Sequence, residues 1–220
     1  MLDTNKSKNI QDLEWKKAKS LILPCLVSAE WKSIMDKNKQ LAYSSFLDFS
    51  VCYYMRLEDR DGNKRNIAWV SRAALENWNI PMHTLKMQAI ENMDKDGYFI
   101  QPIQRFLSTL DEGFSSENAG IIPLYLLTNQ TSVFGAAGIL NMDLLAAFAE
   151  EIGQNLYIIP SSVHELLLLP DDGQINIEYF DLMIDEVNRS LVEPQNILSN
   201  HAYYYNRIID EIQIEKQEDK

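Results

Sequence analysis

Chemistry-bearing residues are scarce in this chain. It has two cysteines and three histidines among 220 residues. Cys25 and Cys52 both lie in apolar surroundings, which suits buried free thiols in a reducing compartment better than a disulfide framework. His83, His164 and His201 are far apart, and none has a second His or Cys at ligand spacing, so no dedicated metal site is expected. Neither a GxxxxGK(S/T) loop nor a GxGxxG fingerprint occurs; Gly135 and Gly138 are only a faint echo of one, and no cofactor is expected. No apolar run approaches the roughly 18 residues a membrane helix needs. The first stretch, MLDTNKSKNIQDLEW, has lysines with no apolar core behind them and does not read as a secretory signal. The expected location is cytoplasmic.

Positive charge is short as well. Twenty Lys and Arg face 32 Asp and Glu, for a net charge of −12. The imbalance is uneven: residues 1–40 carry eight Lys against five acids, residues 165–220 four Lys or Arg against thirteen acids. Such a surface repels phosphate, which disfavours direct nucleic-acid binding. It suits solubility first, and a basic partner second. With 46% apolar and 24% charged residues, the chain is otherwise an ordinary globular sequence with one sizeable core or two small ones.

The richest apolar patterning runs from Ile121 to Pro170. Ile121 to Leu127 and Val133 to Leu140 read as two buried strands joined by a hairpin at Thr128–Ser132, with Gly135 and Gly138 marking a bulge or close backbone approach. Asn141 is an N-cap candidate for a helix whose apolar positions are Leu144, Leu145, Phe148, Ala149 and Ile152, and Gly153 suits its left-handed C-terminal cap. Leu156 to Ile159 and Glu165 to Leu169 form a further strand pair around Pro160-Ser161-Ser162-Val163-His164.

Upstream, helix formers dominate from Ile10 to Leu23, and Pro24 ends that segment or begins the next. Ser28 caps a second helix. Phe46 to Leu57 reads as one long strand, Asp61-Gly62 as a hairpin turn and Asn66 to Val70 as the return strand. Ser71 caps a helix along Ala74, Leu75 and Trp78; Pro81 starts another along Met82, Leu85, Ala89 and Met93, with His83 exposed. Pro102 to Leu110 reads as a short helix, and residues 111–120 as a surface loop or boundary. Downstream, Pro170–Gly173 is a turn. Asn176 caps a helix with the stripe Ile177, Phe180, Ile184, Val187 and Leu191, and with Glu178, Asp181 and Asp185 on a solvated side. The chain closes with Ala202-Tyr203-Tyr204-Tyr205 and a polar tail from Glu211.

Hairpin followed by helix thus occurs three times, over residues 46–78, 121–152 and 156–191. The expected fold is α+β: a largely antiparallel sheet of about six strands with helices packed on it. Residues 1–110 and 121–207 form one compact domain or two closely packed lobes.

The motifs LTN (127–129), FGA (134–136), NLYIIPSSVHELLLLP (155–170) and ILSNHAYYYNR (197–207), together with the upstream pattern from Trp15 to Ile80, resemble a bacterial family catalogued as a domain of unknown function. The resemblance implies a bacterial, cytosolic α+β domain and carries over no catalytic residues.

Three constellations could carry chemistry. Ser162, His164 and Glu165 supply hydroxyl, imidazole and carboxylate, with Ser162 as nucleophile and His164 as base if they converge. Neighbours in a tight turn point apart, however, and serines there usually satisfy backbone groups. Asn129, Ser161 and Tyr204 are candidate ligand contacts, each of which also serves as a turn or packing residue. Tyr53, Tyr54 and the Tyr203–Tyr205 run suit a core as well as a stacking platform. The leading expectation is a non-catalytic protein-binding or regulatory module, with homo-oligomerisation left open. A hydrolase-like enzyme built on Ser162, His164 and Glu165 is one alternative. An acidic decoy of a nucleic-acid-binding protein is the other.

Overall fold

Three side-chain caps set the frame. Ser28, Ser71 and Asn141 each accept the backbone N–H three residues on, from Trp31, Ala74 and Leu144 at 3.1, 3.2 and 3.2 Å. Each turns the chain into a helix by satisfying a donor that the first turn leaves free. The computed structural model describes residues 13–58, 65–105, 123–174 and 177–214. Within it the chain divides into two compact units, Met1–Lys95 and Asp96–Lys220. Both mix helices with antiparallel strands, as an α+β protein should.

In the first unit the described strands are β1 (Ile22–Val27), β2 (Tyr43–Phe46), β3 (Phe49–Glu58) and β4 (Arg65–Trp69). Central β3 pairs antiparallel with all three others. The helices are α1 (Trp15–Ala18), α2 (Ala29–Lys39), α3 (Arg72–Trp78) and α4 (Met82–Asp96). Ala74, Leu75 and Trp78 of α3 are buried, as are Leu85, Ala89 and Met93 of α4, while His83 is exposed.

Two expectations fail in this unit. Residues 22–27 are strand, not the end of a helix. All six are buried, so the apolar alternation that would have announced a half-buried strand is missing. Among the described residues Pro24 sits on a strand paired on one side only, where a missing N–H is tolerated. The expected long strand is present as β3, but its start is not at Phe46: that residue ends β2, and the chain folds back at Leu47-Asp48, with Leu47 at φ 53°, before β3 begins at Phe49. Asp61-Gly62 lies outside the described residues.

Among the described residues of the second unit six strands run β10–β9–β7–β8–β6–β5, all neighbours antiparallel. They are β5 (Tyr98–Pro102), β6 (Tyr125–Asn129), β7 (Leu156–Ser162), β8 (Glu165–Pro170), β9 (Tyr203–Asn206) and β10 (Glu211–Ile214). Helix α5 (Met142–Ile152) ends at Gly153, φ 72°. Helix α6 (Ile177–Leu191) buries Ile184 against Tyr157, Ile159, Leu169 and Ala202. Leu166, Leu168 and Leu169 are buried, and Phe148 packs edge-on against Tyr125 at 4.8 Å.

The second arm of the expected central hairpin is not a strand: Gly135–Leu140 is a 3-10 helix. Gly138 lies against Tyr98 and Leu127, where a Cβ would stand 2.8 Å from the Tyr98 ring, so the apolar run lies on the sheet instead of joining it. Pro102 closes β5, and residues 103–105 enter a helix, as the Pro102–Leu110 reading expects; residues 106–122, with the expected loop at 111–120, lie outside the described residues, as does Asn176. Glu211–Ile214 is strand, not tail. On α6 the buried face includes Asn188, while Val187 is 38% exposed. Asp181 is half-buried and accepts the Ala202 N–H at 3.0 Å, so it is no part of a solvated stripe.

Candidate functional site

The β7–β8 turn gathers the residues that the sequence marks for chemistry. Ser162 and Glu165 are opposite each other, just beyond a register shift between Pro160 and Ser162 where Ser161 lies. The Ser162 hydroxyl donates to Glu165 Oε1 at 2.7 Å and accepts the His164 backbone N–H at 2.9 Å. Both bonds are local, within three residues, and they tie off the turn.

The His164 imidazole belongs to a different set of contacts. Its Nδ1 accepts the Phe134 backbone N–H at 3.2 Å, and the ring stacks on Phe134 with centroids 5.7 Å apart at 16°. An Nδ1 that accepts leaves the neutral ring's proton on Nε2. The His164 carbonyl accepts from Thr128 Oγ1 at 2.9 Å, and the Val163 carbonyl accepts from Ala136 N–H at 3.3 Å. The structure thus brings Ser162 to Glu165, and brings the imidazole of His164 to Phe134. Chemically, the arrangement holds a hydroxyl on a carboxylate inside a turn clamped from the Thr128–Ala136 side.

That clamp is organised by Asn129, fully buried at the end of β6. Its amide donates to Asp96 Oδ2 at 2.7 Å and to the Val133 carbonyl at 2.9 Å; its Oδ1 accepts from the N–H of Thr131 and of Val133, both at 3.2 Å. Both amide N–H groups of Asn129 are therefore used. Sequence reasoning named Asn129 but missed Thr128, Phe134 and Asp96. The one available signal was Gly135: a Cβ there would stand 2.3 Å from Thr128 Oγ1 and 2.4 Å from the His164 carbonyl oxygen.

Tyr204 sits in a second network. Its hydroxyl accepts from Asn155 Nδ2 and donates to Asp171 Oδ2, both at 2.8 Å, with its ring edge-on to Tyr157. Tyr53, Tyr54, Tyr203 and Tyr205 are all buried, so they serve packing. Burial, together with the hydrogen bond to Asp210, pushes the Tyr205 hydroxyl up to about 12. Among the described residues no group of three or more His, Cys, Asp or Glu could hold a metal ion, and no helix is long and apolar enough to cross a membrane.

The model of a family described as "Family of unknown function (DUF5688)" matches residues 2–207. The chain belongs to this family. No curated protein and no solved structure matches it. The DUF5688 match takes in the Asn129 clamp, the β7–β8 turn and the Tyr204 network, and ends at Arg207, before β10.

Directly beyond that point lies a rigid turn. Between β9 and β10, Ile208 is 75% and Ile209 51% exposed. The turn around them is tied at three points: Asn155 Oδ1 accepts the Arg207 N–H at 3.1 Å, Asn206 Oδ1 accepts the Ile208 N–H at 3.0 Å, and the Tyr205 hydroxyl donates to the Asp210 side chain at 2.7 Å. Asp210 takes φ 53° to close the turn.

Proposed function

We propose that this protein is a non-catalytic protein-binding module of the bacterial cytosol, and that it engages its partner at the β9–β10 end of the second sheet. The observation that carries this reading is the pair Ile208 and Ile209, two large aliphatic side chains presented to solvent on a turn fixed by three hydrogen bonds. Presenting apolar surface on an ordered backbone lowers the conformational entropy lost on binding. Strand β10 continues from the turn, and among the described residues it pairs with β9 alone. Its outer edge suits a partner segment adding as a further strand, with main-chain hydrogen bonds giving affinity and alternate side chains giving selectivity. Glu211 and Gln213 are exposed on it, and the net charge of residues 165–220 is strongly negative. The segment that fits is extended, with basic and apolar residues alternating.

The hydroxyl, amide and imidazole groups named for chemistry are engaged in local structure, which supports binding over catalysis. The test is co-purification from the native cell, comparing the wild-type chain with the double variant Ile208→Asp, Ile209→Asp by mass spectrometry. The expected result is a protein recovered with the wild type and lost with the variant. Identical recovery with both would overturn the proposal.

A further inference from the structure

Cys25 and Cys52 are direct partners across the β1–β3 ladder, both fully buried and both free. Direct antiparallel partners project their side chains from the same face, with Cα atoms about 4.5 or 5.5 Å apart according to the site. Both spacings fall inside the range of roughly 4.4–6.8 Å that a disulfide spans. Two further facts fix which site this is. The Val70 N–H donates to the Tyr53 carbonyl at 2.8 Å, so the peptide groups of Tyr53 face β4 and those of Cys52 face β1. Pro24, opposite Tyr53, has no N–H to give and fits the outward-facing position. Cys25 and Cys52 therefore occupy the wider, hydrogen-bonded site.

We propose that Cys25 and Cys52 form a reversible intramolecular disulfide, a covalent modification that staples β1 to β3. At the wider site the Cβ atoms stand about 5.5 Å apart, beyond the roughly 3.5–4.5 Å that a cystine spans, so closing the bond draws the strands together. The strain makes the bond easier to reduce than a structural disulfide, which is the property of a regulatory one. Disulfides in reducing compartments, where they occur, are usually of this transient kind. Access comes through β1, which among the described residues pairs on one side only and so can peel away without disturbing a second neighbour. Burial holds the Cys52 thiol up to about 12 and the nearby Lys32 charge offsets this only in part, so Cys52 attacks once β1 has peeled away and water reaches it.

With a small disulfide such as oxidised glutathione as the oxidant, the step balances. Cys52 loses its proton to solvent and attacks one glutathione sulfur; the S–S bond of glutathione breaks, and one glutathione thiolate leaves and is protonated. Cys25, deprotonated in turn, attacks the Cys52 sulfur and expels the second glutathione. Two cysteine thiols are oxidised and one glutathione disulfide is reduced to two thiols.

The experiment incubates the native full-length chain in glutathione buffers of increasing oxidising ratio, quenches with acid, and labels the remaining thiols with a maleimide mass tag after unfolding. The expected result is that both thiols disappear together, with the chain monomeric, lighter by two hydrogen atoms and restored by dithiothreitol. Cys25→Ser and Cys52→Ser should each stop at a mixed disulfide or a free thiol. Two labelled thiols at the most oxidising ratio, a stable mixed disulfide in the wild type, or cross-linked dimers would each overturn the proposal. The wild-type thiol count decides this whether or not the serine variants fold.

Discussion

Gly135 and His164 meet with no room for another atom: a Cβ on Gly135 would stand 2.4 Å from the His164 carbonyl oxygen. The neighbours it would strike are the backbone of the β7–β8 turn and the Thr128 side chain, and neither is the free end of a flexible group. Gly135→Ala should therefore destabilise the chain by about 3 kcal/mol or more, at the upper end of overpacking costs. Urea denaturation followed by circular dichroism checks this. A cost below about 1 kcal/mol would mean that the 3-10 segment is not seated against the turn.

His164 is expected to act through stability. His164→Ala removes the acceptor of the Phe134 N–H and the ring stacked on Phe134. Leaving a part-buried donor unpaired costs about 1–3 kcal/mol, and the same denaturation measurement should find a loss in that range. His164→Asn, which offers a shorter acceptor, should recover part of it.

Asn129→Asp is predicted to be worse than an ordinary polar substitution. The amide now donates to Asp96 Oδ2 at 2.7 Å and to the Val133 carbonyl. A carboxylate in its place turns the first contact into repulsion between buried acids and abolishes the second. The expected loss is about 3–5 kcal/mol, read as a fall in the urea midpoint at neutral pH.

How much of this was legible in the sequence depends on how local each cause is. The caps at Ser28, Ser71, Asn141 and Gly153 were readable because each acts within a few residues. The β7–β8 pair was legible for the same reason, as was the local backbone contact of the Ser162 hydroxyl; the Ser162–Glu165 bond was not read. The run from Val133 to Leu140 was not. Its apolar character fits a buried strand, and what decides otherwise is the packing of Gly135 and Gly138 against Thr128, Leu127, Tyr98 and the His164 backbone. Strand β1 hid because both its faces are covered; Glu211–Ile214 hid because an edge strand half in water looks like a polar tail. The site was split in the same way. His164 was visible as a residue, but its partners Phe134 and Thr128 are 30 and 36 positions away.

Alkaline pH should weaken the first unit through Cys52. Burial raises its thiol from the ordinary 9.0 to about 12, so the unfolded chain gives up this proton before the folded one does. Stability is then complete below about pH 9 and declines as pH climbs toward 12. Urea unfolding from pH 8 to 10.5 should show this decline, and Cys52→Ser should flatten it. Equal slopes for the two proteins would contradict the assignment.

The proposed contact surface of this molecule is the β9–β10 turn. Hydrogen–deuterium exchange of the complex with its co-purified partner tests it. Slowed exchange is expected over Arg207–Ile214, with unchanged exchange over Ser161–Glu165. Protection confined to Ser161–Glu165, with Arg207–Ile214 exchanging as in the free chain, would contradict it.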